Sequence, residues 1–161
     1  MKRKKVWLMC GIPASGKSTW IKENKLNNSL VVSRDEIRKQ LIDNGKYFSK
    51  ENEVFLNFYK TIQSGLDDLK IENIYIDATH VSKRSRVKIL NCLNFPKNTE
   101  LNVVWLNTPT FTCLERNKKR TGFAYVPESA LNHMEIQFEF PTEEEFNKYC
   151  FKKVNIIEVK G

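Results

Sequence analysis

The chain lacks several features that would have assigned it to a class at once. No apolar run approaches the roughly 20 residues that a membrane helix needs. The apolar stretch after Lys2 to Lys5 runs straight into a glycine-containing turn, so no signal peptide is visible and a cytoplasmic protein is expected. Cys10, Cys92, Cys113 and Cys150 form neither a C-x-x-C pair nor a metal-ligand spacing; they read as reduced cysteines serving as small apolar residues. No internal repeat, low-complexity tract or linker breaks the 161 residues, which predicts a single domain, 1–161, with one core. Acidic residues are in deficit, 19 against 27 basic ones. The resulting charge of +8 favours an anionic partner, with a bound nucleotide and solvated surface lysines each accounting for part of it.

What is present begins with Val6 to Thr19, Val-Trp-Leu-Met-Cys-Gly-Ile-Pro-Ala-Ser-Gly-Lys-Ser-Thr. Val6 to Cys10 reads as a buried parallel strand, and Gly11-x4-Gly16-Lys17-Ser18 completes the phosphate-binding pattern G-x-x-x-x-G-K-[ST]. With glycine at about 7% of residues, such a match arises by chance in roughly one sequence of this length in a hundred. The glycines let backbone N–H groups approach phosphates, and a helix starting near Lys17 aims its positive end at them. Gly11, Ser15, Gly16, Lys17, Ser18 and Thr19 are therefore the candidate ATP contacts. Lys17 is placed for the β/γ-phosphates and the Ser18 hydroxyl for Mg²⁺.

A single α/β alternation accounts for the rest. Strands are expected at about 5–10, 30–32, 74–77, 101–106 and 154–159, and helices at about 17–25, 34–43, 50–70, 82–93, 110–119 and 127–139. Ser33-x-x-Glu36 and Thr142-x-x-Glu145 read as capping boxes, the latter opening a further short helix; Ser82 caps a third, and Asn44-Gly45 stops the helix begun at 34. Val54, Phe55, Phe58, Tyr59, Ile62, Leu66 and Leu69 form a core stripe at helical spacing. Helix-linked strands imply a five-stranded parallel sheet with helices on both faces, whose ligands collect at the carboxyl ends of the strands.

Those ends carry the polar residues. Asp77 closes an apolar strand and is a candidate for the metal or phosphate site. His80 reads equally as solvated or as a substrate contact, and His133 as structural. Arg34, Asp35 and Arg38 share the first turn of a helix, where arginines are disfavoured unless something anionic faces them. Phosphoryl transfer to a hydroxyl would use such a set: a carboxylate to accept the proton and an arginine to hold an acceptor phosphate. Arg116 and Arg120, followed by Gly122, suit a closing lid that brings an arginine to the phosphoryl group. The cluster Lys83, Arg84, Arg86 and Lys88 reads as a solvated helix face, with nucleic-acid tracking as the minor alternative.

Gly11-Ile-Pro-Ala-Ser-Gly-Lys-Ser-Thr, Ser33-Arg-Asp-Glu-Ile-Arg38, Asp77-Ala-Thr, Arg116-Asn-Lys-Lys-Arg120 and Val126-Pro127 together resemble the kinase domain of the phage polynucleotide kinase family, over about residues 5 to 145. The resemblance implies a P-loop kinase fold with a basic helical lid at about 116–126. It also implies that Lys17 and Ser18 bind ATP and Mg²⁺, that Asp35 is general base on a 5′-hydroxyl, that Arg38 engages an acceptor phosphate, and that Arg120 is the lid arginine. Nucleic-acid 5′-hydroxyl ends, DNA or RNA, are the implied substrate. On this reading Arg34, Asp35, Arg38 and Thr79 contact the acceptor, Arg116 and Arg120 the ATP, and Ser18 and Asp77 the metal. The acid of Asp77-Ala-Thr stands one position from the family's, which leaves its partner as either metal or Arg38. No Asp-x-Asp occurs, so the phosphatase half of the bifunctional phage enzymes is expected to be missing. Two rivals are a small-molecule kinase of zeta-toxin or gluconate type and a non-catalytic ATP-binding regulatory module. The Arg-Asp-x-x-Arg motif argues against the second.

Overall fold

The computed structural model describes residues 3–41 and 49–161. Its strands are β1 (Lys5–Cys10), β2 (Ser29–Ser33), β3 (Asn73–Asp77), β4 (Glu100–Asn107) and β5 (Lys153–Lys160). They form one sheet in the order β2-β3-β1-β4-β5, with every pairing parallel. The expected five-stranded parallel sheet is therefore present. The reason is visible in β3, buried at all five positions, as a strand covered on both faces must be.

The crossovers are α1 (Lys17–Asn24), α2 (Arg34–Leu41), α3 (Glu51–Asp67), α4 (Lys83–Asn91), α5 (Thr110–Lys118), α6 (Glu128–Ile136) and a 3₁₀ segment (Glu143–Tyr149). Successive residues of β1 go to opposite faces. Leu8 joins Phe58, Ile62 and Leu66 of α3 and Ile89 and Leu90 of α4, whereas Met9 joins Ile21 of α1, Tyr75, Val104 and Leu106. Register then aligns the carboxyl ends: Leu8 pairs with Ile76, and Ser33 with Asp77. Among the described residues no helix is long and apolar enough to cross a membrane.

Local signals located the helix starts. Ser82 accepts from the Ser85 amide at 3.1 Å, Ser33 from that of Glu36 at 3.3 Å, and Thr142 and Glu145 form their capping box. The expected stop at Asn44-Gly45, with the helix's last residues, lies outside the described residues. Helix ends elsewhere moved for tertiary reasons. Helix α3 stops at Asp67 because the buried Lys4 ammonium takes the carbonyls of Gly65, Asp68 and Ile71, so Leu69 is 84% exposed rather than core. Helix α6 stops at Ile136 because the Glu139 amide bonds to Val81 O at 2.7 Å, and Phe138 and Phe140 pack on Trp105. Cys10 and Cys113 are buried as expected; Cys92 and Cys150 are exposed.

The largest departure is Arg86, expected on a solvated face and found fully buried. It sits one turn into α4, and the 3₁₀ segment brings Glu145 over it: Nε donates to Oε1 at 2.6 Å, Nη2 to Oε2 at 3.3 Å, and Nη1 to His80 O at 2.9 Å. Removing one partner of such a pair leaves an unmatched buried charge, at a cost of about 3–5 kcal/mol. Arg86→Met should lose stability by that amount in urea unfolding, and adding Glu145→Leu should restore part of it. A loss below about 1 kcal/mol in the single variant would contradict the pairing's structural weight.

Candidate active site

The loop after β1 is built by close approach. The Gly11 amide donates to Thr79 O at 2.8 Å, and a Cβ on Gly11 would lie 2.5 Å from Ser15 Oγ and 3.3 Å from Leu106 Cβ, so a side chain there would displace the buried Ser15 hydroxyl. Gly16 takes φ 105°, a left-handed conformation that glycine adopts without strain, and starts α1 with no side-chain cap and no acid in the first turn. The helix's leading N–H groups are thus left for an anion. Lys17 Nζ donates back to Gly11 O at 2.9 Å and Ile12 O at 3.0 Å, closing the loop. Burial lowers its pKa, opposed by the Asp77 and Asp35 carboxylates. Thr108 Oγ1 donates to Ser15 O at 2.7 Å and Arg116 Nη1 to Ala14 O at 3.3 Å, so the end of β4 and helix α5 brace the loop from behind.

Asp77 meets the loop at its first helical residue pair. Ser18 Oγ donates to Asp77 Oδ2 at 2.9 Å. Burial raises the Asp77 pKa, with Lys17 and the Ser18 hydrogen bond pulling the other way. Of the two partners left open by the sequence, Asp77 thus sits on the Ser18 side, while Arg38 is engaged by Asp35 and Glu51. Among the described residues there is no cluster of three or more His, Cys, Asp or Glu side chains fit to hold a metal. Two hard oxygen donors beside a phosphate-binding loop do fit Mg²⁺, which takes one or two protein ligands and completes its shell with phosphate and water.

The arginine side of the cavity is organised by Glu51, a residue that sequence reasoning did not single out. Its carboxylate accepts from Arg38 Nε at 2.6 Å and Nη2 at 3.0 Å, and from Arg34 Nη2 at 3.1 Å. Burial pushes the Glu51 pKa up, but hydrogen bonds and charge from Arg38 and Arg34 outweigh it and leave it low. The anion that two arginines in one helical turn demanded is therefore present within the chain, contributed by the first turn of α3. Arg38 also pairs with Asp35, whose side chain remains two-thirds exposed at 67%. Among the described residues Arg34 Nε, buried, has no hydrogen-bond partner.

Lys17, Ser18, Thr19, Arg34, Asp35, Arg38, Asp77, Thr79 and Arg120 line a single cavity of about 240 Å³ together with Gly16 and Glu51. Gly11 and Ser15 are buried within the loop instead. Asn117 was also missed: its buried amide donates to Val126 O at 2.7 Å and accepts from Val126 N at 3.0 Å, pinning the base of the loop that carries Arg120. Its place between Arg116 and Arg120 was the signal available.

His80 is neither solvated nor a cavity-lining contact. It is 4% exposed beneath the loop, in a left-handed conformation at φ 44°, with Nδ1 2.7 Å from Met9 O. A carbonyl only accepts, so Nδ1 carries a proton, and burial keeps the ring in its neutral form. Burial pushes its pKa down to about 3, the Met9 hydrogen bond opposing and Arg34, Arg86 and Lys17 reinforcing. The unfolded chain takes up this proton below about pH 6.5 whereas the folded one resists it, so stability falls on acidification from 6.5 towards 3. Between pH 7 and 5.5 the loss through His80 should be about 1 kcal/mol. His80→Asn, which tolerates the backbone and keeps a donor for Met9 O, should show a correspondingly shallower pH dependence in urea unfolding. Identical slopes would refute the assignment.

No curated protein sequence matches the chain, whereas some 200 solved chains do. A fungal RNA kinase matches with a TM-score of 0.66 at 11% identity, covering 100% of this chain and 77% of that one. A sugar kinase from Janibacter sp. HTCC2649 gives 0.56 at 16% identity, covering 98% and 85%. A chain of the Pnkp1/Rnl/Hen1 RNA repair complex gives 0.59 at 24% identity over 87% of this chain, which spans 48% of that longer relative. At these identities the likeness is one of fold, and the fold is that of a P-loop kinase. A sequence profile described as AAA domain matches residues 6–141, from the first buried residue of β1 to beyond α6, and the chain belongs to that family.

Proposed function

We propose that the chain transfers the γ-phosphoryl group of ATP to the 5′-hydroxyl of a nucleic acid or nucleoside 3′-phosphate. The observation that carries this reading is that Asp35 lines the same cavity as Lys17 and Ser18 and contacts Arg38, which Glu51 holds rigid. The 5′-oxygen forms a bond to the γ-phosphorus as the bond to the ADP oxygen breaks. The hydroxyl proton passes to the Asp35 carboxylate, and the electron pair leaves with ADP. Arg38 and Arg34 hold the acceptor's phosphate. Ser18 and Asp77 would hold Mg²⁺, which neutralises phosphate charge when bound. The likeness to an RNA kinase and to a chain of an RNA repair complex supports this acceptor class; the likeness to a sugar kinase marks its rival.

Residues 116–126 act as the lid of a single domain in this reading. Arg120 lines the cavity, and Gly122, at φ 59° with nothing within 4 Å of a notional Cβ, gives the loop freedom on the fixed Asn117–Val126 base. Arg116 braces the loop through Ala14 O and is not among the residues that line the cavity, so in this reading it acts on ATP through the loop it holds.

The test is a labelled-ATP assay with 5′-hydroxyl oligonucleotides, nucleoside 3′-monophosphates and uncharged sugars. The first two should be phosphorylated; transfer to a sugar alone would hand the site to the small-molecule rival, and transfer to none would favour a regulatory module. Lys17→Ala should abolish transfer, and Asp35→Asn should lower turnover by about 10²- to 10⁴-fold while ATP affinity is kept. Equal collapse of ATP binding would make Asp35 structural. Arg120→Ala should cost about 10³-fold in turnover with little change in ground-state binding, and full activity in that variant would remove the lid arginine.

A further inference from the structure

The burial of Arg86 divides the basic run of α4 into two populations. Arg86 is consumed by Glu145 inside the protein, while Lys83, Arg84 and Lys88 remain exposed and, among the described residues, paired with no carboxylate. Arg84 and Lys88 lie one turn apart on the same side of the helix, at i and i+4. Three like charges within six residues repel one another, and nothing in the described chain relieves them.

Phe55 of α3 positions the last of them. Lys88 Nζ lies 4.4 Å from the Phe55 ring centroid, and the guanidinium carbon of Arg34 lies 5.5 Å from the same centroid. One half-buried ring therefore joins the cation that borders the acceptor cavity to the cations of α4. Basic side chains thus recur from Arg34 across Phe55 to Lys88 and, one turn earlier on α4, to Arg84, while Arg34 is held on its other side by Glu51. A small acceptor would be contained by Arg34, Arg38 and Asp35. The row beyond Phe55 matches an acceptor with further phosphates.

We infer that Lys88 and Arg84, reached over Phe55 from Arg34, form a track for the phosphates of a single-stranded nucleic acid whose 5′ end lies in the acceptor cavity. The inference rests on the proposed kinase reading and specifies it: the acceptor is a polymer, and its second and later phosphates run along α4. Contacts of this kind are sequence-independent and release counterions, so they act on affinity and its salt dependence.

The experiment compares the intact protein with Arg84→Ala/Lys88→Ala by fluorescence anisotropy with a labelled 5′-hydroxyl ten-nucleotide single strand, and by KM for that strand and for a nucleoside 3′-monophosphate. Losing two phosphate contacts should weaken strand binding at least roughly fivefold and flatten the log–log salt slope by about 1.4, at about 0.7 per contact. KM for the monophosphate and for ATP should stay unchanged, and Lys88→Arg should bind as the intact protein does. Both residues are exposed, so the fold should be retained, with the unfolding midpoint lowered only slightly by loss of the Lys88 contact with Phe55. The track is overturned if the double variant binds the strand with the affinity and salt slope of the intact protein, if the intact protein does not bind it, or if both acceptors lose KM equally. Failure of the kinase reading is distinct: strand binding that the double variant weakens, with no phosphoryl transfer to either acceptor, would keep the track and remove the reaction.

Discussion

The hydrogen bond between Ser18 and Asp77 spans 59 residues of sequence, and it exists because β1 and β3 are adjacent and parallel with Leu8 opposite Ile76. A slip of one residue in that pairing would invert the faces of β3, sending Ile74 and Ile76 from the α3 side to the α1 side. The apolar core therefore enforces the register, and the register places a carboxylate at the mouth of a phosphate-binding loop. Packing energy distributed over α1, α3 and α4 is in this way spent on the position of two oxygen atoms.

Two buried arginines illustrate how one chemical motif serves different ends. Arg38 and Arg86 are each clamped through Nε and Nη2 by a glutamate from another element. A paired buried guanidinium tolerates low dielectric because its charge and donors are matched. Arg86 is wholly enclosed and ties α4, the 3₁₀ segment and the His80 carbonyl into one block beneath the loop. Arg38 is clamped at the cavity wall, where a further face of its guanidinium reaches Asp35. Rigidity contributed by Glu51 keeps that arginine from collapsing onto the carboxylate proposed as base in more than one geometry.

The loop itself is held from both sides by groups that do not line the cavity. His80 supports the strand below through Met9 O, Thr108 holds Ser15 O, and Arg116 holds Ala14 O. The Ser15 carbonyl turned to Thr108 sets the Gly16 amide of the same peptide on the opposite side, at the start of α1, whereas the Ser15 amide is taken by Ile12 O at 3.2 Å. An amide set at the start of a helix is what an incoming phosphate chain requires.

From the sequence alone, the phosphate loop, the order of strands and helices and the caps at Ser33, Ser82 and Thr142 were legible, because each depends on residues within a few positions of one another. The carboxyl-edge residues Arg34, Asp35, Arg38, Asp77 and Thr79 were legible too, since parallel crossovers leave them no other edge. Glu51 was not: its meaning arises only when the start of α3 swings back 13 residues to meet Arg38. Arg86 and His80 misled for the same reason, as neither a basic run nor a polar strand exit reveals which side chain a distant element will cover. Local chemistry determined what the elements are and where a phosphate can bind; long-range packing decided which charges are buried, because burial is fixed by the partner that arrives and not by the neighbours in sequence.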